Sequence, residues 1–338
     1  MKPSDFDYPL PEGHIAQRPA SPRDAARLLV VERATGRRTD ALVRDLPRFL
    51  EPGDLLVVND TKVLHARLFG RRATGGRIEM LLLRRDEGGD HEALVRTHGS
   101  LRPWETLAMD GGIRATLLER PGGGAIWRAR LAAEGDLDAV LERAGHVPLP
   151  PYLKRPDDAL DRERYQTIFA AHPGSAAAPT AGLHFTPALL EALAARGVGV
   201  AKVTLHVGYG TFQPVEAERI EEHRMHAEEY EVTEEAARAI SGRKGRLVAV
   251  GTTTTRVLES LAATGGVRAA RGRTDLFLRP GHAFRAVELL FTNFHLPRSS
   301  LLMLVCAFGG REQVLGAYAH ALAAGYRFTS YGDATLFV

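Results

Sequence analysis

Between Arg246 and Ser260 the chain reads Arg-Leu-Val-Ala-Val-Gly-Thr-Thr-Thr-Thr-Arg-Val-Leu-Glu-Ser: an apolar strand, a glycine, four threonines and a helix. This order sets backbone N–H groups and hydroxyls at the carboxyl end of a strand, where open α/β sheets bind ligands. The helix N-terminus there favours an anion. No lysine and no second glycine follow Gly251, so the segment is not a P-loop. A carboxylate or a single phosphate suits Gly251, Thr252, Thr253, Thr254 and Arg256 better than a triphosphate. The plainer alternative is a capped helix with surplus threonines.

Thirteen histidines add a second chemistry, because several sit in ordered contexts. Pro179-Thr-Ala-Gly-Leu-His-Phe185 sets His184 between a glycine turn and a helix cap. Val203–Phe212 sets His206 at a strand end, before glycines that let a ligand approach the backbone. His223 and His226 stand three apart with Glu228 beyond them, and Asn293 and His295 follow a strand. One such histidine is ordinarily structural; several beside strand ends point to a site. Imidazole titrates near neutrality, which suits general acid–base work. His223, His226 and Glu228 with His206 or His295 could also supply zinc ligands. The His-Glu-x-x-His helix signature is absent, however, and a His-x-x-His pair is a weak signal; no metal is expected.

The C-terminal Tyr326-Arg-Phe-Thr-Ser-Tyr-Gly-Asp333 interleaves aromatics with an arginine and an aspartate. A base could stack on a ring such as Tyr331 while Asp333 reads a guanine-like N–H edge. The alternative is an amphipathic last strand packing the core.

The elements that must hold these residues fall into two textures. Between about 64 and 130, short runs (Ala66–Phe69, Ile78–Leu83, Glu92–Arg96, Ile113–Leu118, Ile126–Leu131) are separated by glycine turns such as Thr74-Gly-Gly76 and Gly122-Gly-Gly124. That spacing predicts a small antiparallel barrel or sandwich. After residue 150, strands alternate with helices, which predicts an α/β layer architecture. Thr274–Leu278 and Ala286–Phe291 read as strands, and Ser300–Phe308 as a buried helix or strand. The expected organisation is a mixed α/β (α+β) catalytic domain from residues 1–63 and 149–338, with an antiparallel β domain inserted at 64–148.

Composition removes other classes. The chain has 338 residues, 44% hydrophobic and 25% charged, which is ordinary globular usage. One cysteine forms no internal disulfide and no multi-cysteine zinc site. The longest apolar run, Leu301–Phe308, is far short of the about 20 residues of a membrane span. Met1–Pro9 has no apolar stretch of a signal peptide, so a soluble cytoplasmic protein, with no membrane partner, is expected. Only five of the 44 basic residues are lysines, and arginine's planar fork suits phosphate. Residues 66–130 hold twelve arginines against eight acids, while 216–240 hold nine glutamates against three arginines. A basic docking face beside an acidic element is compatible with that asymmetry; drift of a GC-rich genome from lysine to arginine is the bland alternative.

Taken together, these segments resemble the S-adenosylmethionine:tRNA ribosyltransferase-isomerase (QueA) family of queuosine biosynthesis. The likeness runs nearly end to end. It includes Asn59, Thr61 and Ala66–Gly70, Pro148–Tyr152, Asp161–Thr167, Ala178–Thr186, Val203–Val215, His223–Glu228, Val250–Ser260, Thr292–Val305 and Tyr326–Ala334. It implies an α/β domain with an inserted six-stranded β-barrel. It also implies transfer and isomerisation of the ribosyl part of S-adenosylmethionine onto 7-aminomethyl-7-deazaguanine at the tRNA wobble position. Epoxyqueuosine-tRNA, adenine and methionine are the products. S-adenosylmethionine is consumed as a substrate, so no cofactor is expected, and the enzyme is expected to be a monomer.

Such chemistry needs a base near the sulfonium-acidified C5′ protons, for which His206 or His184 stands, and an acid for departing adenine, for which His226 or His295 stands. Gly251–Thr254 and Arg256 would meet the methionine carboxylate. Asp333 or Glu228 would read the deazaguanine edge, with Asn293 and Tyr331 beside the substrates. Some positions depart from the family pattern, among them Asp60, Lys62, His65, Trp104, Thr254, His282 and Thr335. Asp60 is expected to lower positive charge where RNA docks. A metal-dependent hydrolase built on the histidines, a non-catalytic RNA-binding module, and a related enzyme of the same fold with an altered acceptor, which the departures suggest, are the competing readings.

Overall fold

The computed structural model describes residues 1–86, 88–121, 124–208 and 215–338. The Gly122-Gly123 turn and the Tyr209–Phe212 part of the loop after His206 lie outside the described residues.

The first strands are β1 (Arg27–Val31), β2 (Arg38–Leu42), β3 (Leu55–Asn59) and the short β4 (Thr61–Val63). The barrel strands follow: β5 (Arg67–Arg72), β6 (Arg77–Arg85), β7 (His91–Thr97), β8 (Thr106–Met109), β9 (Arg114–Glu119) and β10 (Ile126–Ala132). Helices α1 (Leu137–Ala144) and α2 (Ala159–Arg164) lead back to β11 (His172–Ser175), α3 (Pro187–Ala195) and β12 (Gly199–Leu205). The chain continues through β13 (Glu228–Val232), α4 (Glu234–Ser241), β14 (Leu247–Val250), α5 (Thr252–Ala262) and β15 (Ala270–Thr274). It ends with β16 (Leu289–Asn293), α6 (Ser300–Gly309), α7 (Arg311–Ala323) and β17 (Ala334–Phe337).

Nine strands form one mixed sheet in the order β15-β13-β12-β3-β14-β16-β17-β1-β2. Its centre, β12-β3-β14-β16, is parallel; β13 and β15 on one side and β17 and β2 on the other pair antiparallel with their inner neighbours, and β1 lies parallel to β17. Both faces of the centre are covered, which is why Leu55–Val58 and Leu247–Val250 read as unbroken apolar runs. Leu55, Val57, Leu247 and Ala249 pack into the core shared with α5, α6 and α7. Leu56, Val58, Val248 and Val250 pack into the core on the α3 side. Consecutive residues serve opposite faces because side chains alternate along a strand.

The inserted strands close into a six-stranded antiparallel barrel, β10-β7-β6-β5-β8-β9, around its own core of Leu68, Met80, Leu107, Leu117 and Trp127. β8 has no counterpart among the five sequence runs; four residues of exposed–buried alternation are too short to stand out. Two further expectations are corrected. The strand read at Thr274–Leu278 is β15, ending at Thr274, because Arg256 takes the Leu276 carbonyl and Leu278 turns into the core. The strand read from Ala286 begins at Leu289, because the N–H groups of Ala286 and Val287 donate to the Glu259 carboxylate. Ser300–Phe308 is helical, with Ser299 as N-cap accepting from the Leu302 N–H.

Candidate active site

A cleft of about 890 Å³ separates the barrel from the α/β sheet. Its sheet-side wall is polar, built from Gly174–Ala176 at the end of β11, His206–Gly208 beyond β12, and His226–Glu229 entering β13. Its barrel wall is largely apolar, with Leu82, Leu94, Ile126 and Leu141, and Arg84 and Arg85 beside them. Arg84 also reaches Glu229 across the domains, at 3.6 Å.

His206 is the best-anchored of the cleft histidines. Its backbone N–H donates to the Glu229 carbonyl at 2.9 Å. Asn59, at the end of β3, secures the preceding residue: its Nδ2 donates to the Leu205 carbonyl at 2.9 Å and its Oδ1 accepts from the Leu205 N–H at 3.1 Å. The same Oδ1 accepts from the Thr61 N–H, and the Thr61 hydroxyl lies 2.8 Å from His206 Nδ1. The imidazole rests on Gly174, whose φ of +148° belongs to glycine. Burial holds the His206 pKa below the ordinary imidazole value. His226 is exposed on the same wall, and the neighbouring His223 packs edge-on against Phe277.

His184 and His295 are corrected. Neither lines the cleft, and each is buried. Asn293 Nδ2 lies 3.0 Å from His184 Nε2 and donates to the Thr329 carbonyl at 3.1 Å. Because that carbonyl only accepts, the amide orientation is set, and Nε2 of His184 is the acceptor. Burial, with the Arg327 and Arg23 charges, lowers the His184 pKa to about 3. His295 Nε2 pairs with the Thr292 hydroxyl at 2.9 Å, its N–H donates to Tyr318, its carbonyl accepts from Tyr8, and burial lowers its pKa to about 3. Burial and the Thr292 hydroxyl thus hold the His295 ring in its neutral form, away from the cleft. The Nε2 lone pair of His184 is engaged by the Asn293 amide. The Asn293 amide nitrogen serves His184 and the Thr329 backbone, while its Oδ1 is buried with no hydrogen-bond partner among the described residues.

The anion reading at α5 is corrected as well. Gly251–Thr254 do not line the cleft. Thr254 and Thr255 hydroxyls donate back to the carbonyls of Val250 and Gly251, and Thr253 accepts from Asn59. The Thr252 side chain is buried, like the rest of this turn. Arg256 is 3% exposed and fully engaged with the Glu228 carboxylate and the carbonyls of Thr274 and Leu276, leaving no fork for a ligand carboxylate. Glu228 borders the cleft, but it accepts from the Gly208 N–H at 2.7 Å and holds Arg256, so it positions the loop after His206 and reads no base edge.

Asp333 and Tyr331 are also structural. Asp333 accepts the N–H groups of Arg27 and Arg327, tying the last loop to β1. The Tyr331 hydroxyl donates to Asp161, itself paired with Arg155. Asp60 lies inside, accepting from the Thr204 hydroxyl at 2.6 Å beside His172, so it does not alter a docking surface. Among the described residues no three His, Cys, Asp or Glu side chains are grouped to hold a metal ion.

Comparison with known proteins follows this geometry. Residues 3–337 match the family described as queuosine biosynthesis protein. The chain belongs to that family. A relative from Anaeromyxobacter sp. (strain Fw109-5), named S-adenosylmethionine:tRNA ribosyltransferase-isomerase, is 56% identical over 99% of both chains. One of the same name from Acidithiobacillus ferrooxidans is 53% identical over 99% of this chain and 98% of its own. The crystal structure of S-adenosylmethionine tRNA ribosyltransferase from Thermotoga maritima is 38% identical, covers 99% of this chain and 100% of its own, and superposes with a TM-score of 0.57.

Within this queuosine biosynthesis protein, sequence reasoning passed over Asn59, Thr61 and Gly174 as site residues. A signal was present. Asn59-Asp60-Thr61 follows the apolar Leu55–Val58 as the threonines follow Val250, and Pro173-Gly174 is a turn dipeptide. That β4 and β11 pair in parallel, bringing Thr61 and Gly174 to one ring, is a tertiary fact.

Proposed function

We propose that the cleft between barrel and sheet is where the ribosyl group of S-adenosylmethionine meets 7-aminomethyl-7-deazaguanine of a tRNA wobble position, yielding epoxyqueuosine-tRNA, adenine and methionine. As a family member, the chain is an enzyme of queuosine biosynthesis, a ribosyltransferase-isomerase acting on S-adenosylmethionine and tRNA. The observation that carries the site is the pairing of His206 and His226 on one polar wall of a cavity of about 890 Å³. That volume lies in the range of small-molecule sites, and the facing apolar wall suits a flat heteroaromatic ring. The two histidines supply the hydrogen bonds and proton transfers of C5′ deprotonation and adenine loss. With Arg256 engaged, the cleft cations Lys62 and Arg273 are the groups for the methionine carboxylate.

S-adenosylmethionine is consumed, and its sulfonium supplies the C–H acidity, so the reading includes no cofactor. Among the described residues no helix is long and apolar enough to cross a membrane, and a tRNA substrate supports a cytoplasmic setting. Incubation with S-adenosylmethionine and tRNA bearing the aminomethyl-deazaguanine, followed by nucleoside mass analysis, tests the reading. Release of adenine with gain of the epoxy-cyclopentane nucleoside is expected; neither product appearing overturns it.

A further inference from the structure

Thr61 and His206 form a buried contact whose hydrogen has one reasonable place to go. The Thr61 side chain is 0% exposed, and among the described residues its hydroxyl makes one hydrogen bond, to His206 Nδ1 at 2.8 Å. Two tautomers satisfy that distance. If Nδ1 carries the proton and donates to Thr61, the hydroxyl hydrogen is left buried with no acceptor among the described residues. If the hydroxyl donates to Nδ1, every polar atom of the contact is paired. Unsatisfied buried donors are costly and rare, so the second arrangement is the stable one.

We propose that Thr61 is a positioning residue that holds neutral His206 with its proton on Nε2, so that the ring offers the cleft a hydrogen-bond donor instead of a base. This rests on the reading of the cleft as the reaction site. The surroundings hold that tautomer in place. Asn59 binds the Thr61 N–H and the Glu229 carbonyl takes the His206 N–H, so both backbones are fixed, and Gly174 lies under the ring. Burial keeps the imidazole neutral against the opposing influence of Glu229, Asp60 and Glu231, and His172 acts in the same direction as burial. A neutral imidazole N–H stabilises charge developing on a substrate acceptor without giving up its proton. Removal of a C5′ proton then falls to His226, exposed on the same wall. The C5′ electron pair stays on carbon, adjacent to the sulfonium, and the proton passes to the imidazole of His226.

The tautomer is directly measurable in the unmodified full chain. Nitrogen-15 labelled histidine and long-range proton–nitrogen correlation, with His206 assigned by its loss in His206→Gln, should show Nε2 protonated and Nδ1 bare. The opposite pattern overturns the proposal. Kinetics give the second readout. Thr61→Val should lower kcat for adenine release about 10- to 100-fold with KM for S-adenosylmethionine little changed, and Thr61→Ser should restore it. A Thr61→Val enzyme at the wild-type rate overturns the proposal. Full activity in His206→Gln would instead remove His206 from the site, which is failure of the underlying reading. Loss of activity in His206→Gln together with an Nδ1-protonated ring sinks the tautomer assignment alone.

Discussion

The imidazole of His206 is seated on Gly174 so closely that a Cβ at residue 174 would stand 2.8 Å from ring atoms Cε1 and Nδ1. The ring and the strand end of β11 therefore occupy complementary space, and glycine is the residue that permits it. Gly174→Ala must displace the ring or the strand. We expect adenine release to fall about 100-fold, the scale of an ångström-sized misplacement, while the folded state persists in thermal unfolding. Undiminished turnover would show that the ring is free to move.

His206→Ala and His226→Ala should separate cleanly from His184→Ala. Each cleft substitution is expected to reduce kcat/KM by about 100-fold or more; His226→Ala, at an exposed position, should leave the unfolding midpoint unchanged, whereas His206→Ala also strips the buried Thr61 hydroxyl of its partner and should lower it. His184→Ala removes the acceptor of a buried Asn293 amide and should cost about 1–3 kcal/mol of stability. Urea denaturation alongside adenine release checks both directions.

Stability should fall on mild acidification because of His184 and His295. Their pKa values in the folded protein are about 3, against about 6.5 when unfolded. Above the unfolded value both states are neutral and the histidines favour neither. Below it the unfolded chain binds protons that the folded chain refuses, so stability drops until the pH reaches the folded value. Between pH 7 and pH 5 each ring should contribute a loss of about 2 kcal/mol. Urea midpoints across that range test this, and His295→Gln should flatten the slope; an unaltered slope would exclude the ring as its source.

Arg256 and Glu228 should behave as a coupled buried pair. Removing one partner, as in Arg256→Met, leaves a carboxylate at 5% exposure without its cation. The expected cost is about 3–5 kcal/mol. The double substitution Arg256→Met with Glu228→Gln should be less harmful than the sum of the singles, as a double-mutant cycle in urea would show.

Lys62→Ala and Arg273→Ala should weaken S-adenosylmethionine binding about tenfold each, the scale of a lost charge-assisted hydrogen bond. A raised KM with kcat retained is the expected kinetic pattern. Unchanged KM in both variants would move the methionine carboxylate elsewhere in the cleft.

Local pattern alone made much of the architecture readable. Apolar runs such as Leu55–Val58 and Leu247–Val250 mark central strands because burial on both faces leaves no polar alternation. Glycine-punctuated runs marked the inserted β domain, and the order of motifs indicated the family. His206 stands out at the end of an apolar strand before Gly208, whereas the glutamate-rich β13 carries no such pattern.

What the sequence could not decide was which polar side chains still had a free valence. Thr254, Arg256, Asp333 and His184 carry the same functional groups as catalytic residues, yet each is bound by a partner distant in sequence or by backbone. His295 is silenced by burial and by Thr292, Tyr8 and Tyr318. Hydrogen bonding and desolvation are properties of the packed neighbourhood, and a one-dimensional pattern does not contain them. Residue types and their order determined the family and the inventory of chemistry. Tertiary packing left His206 and His226 to face the cleft, and it placed Thr61 and Gly174 around His206.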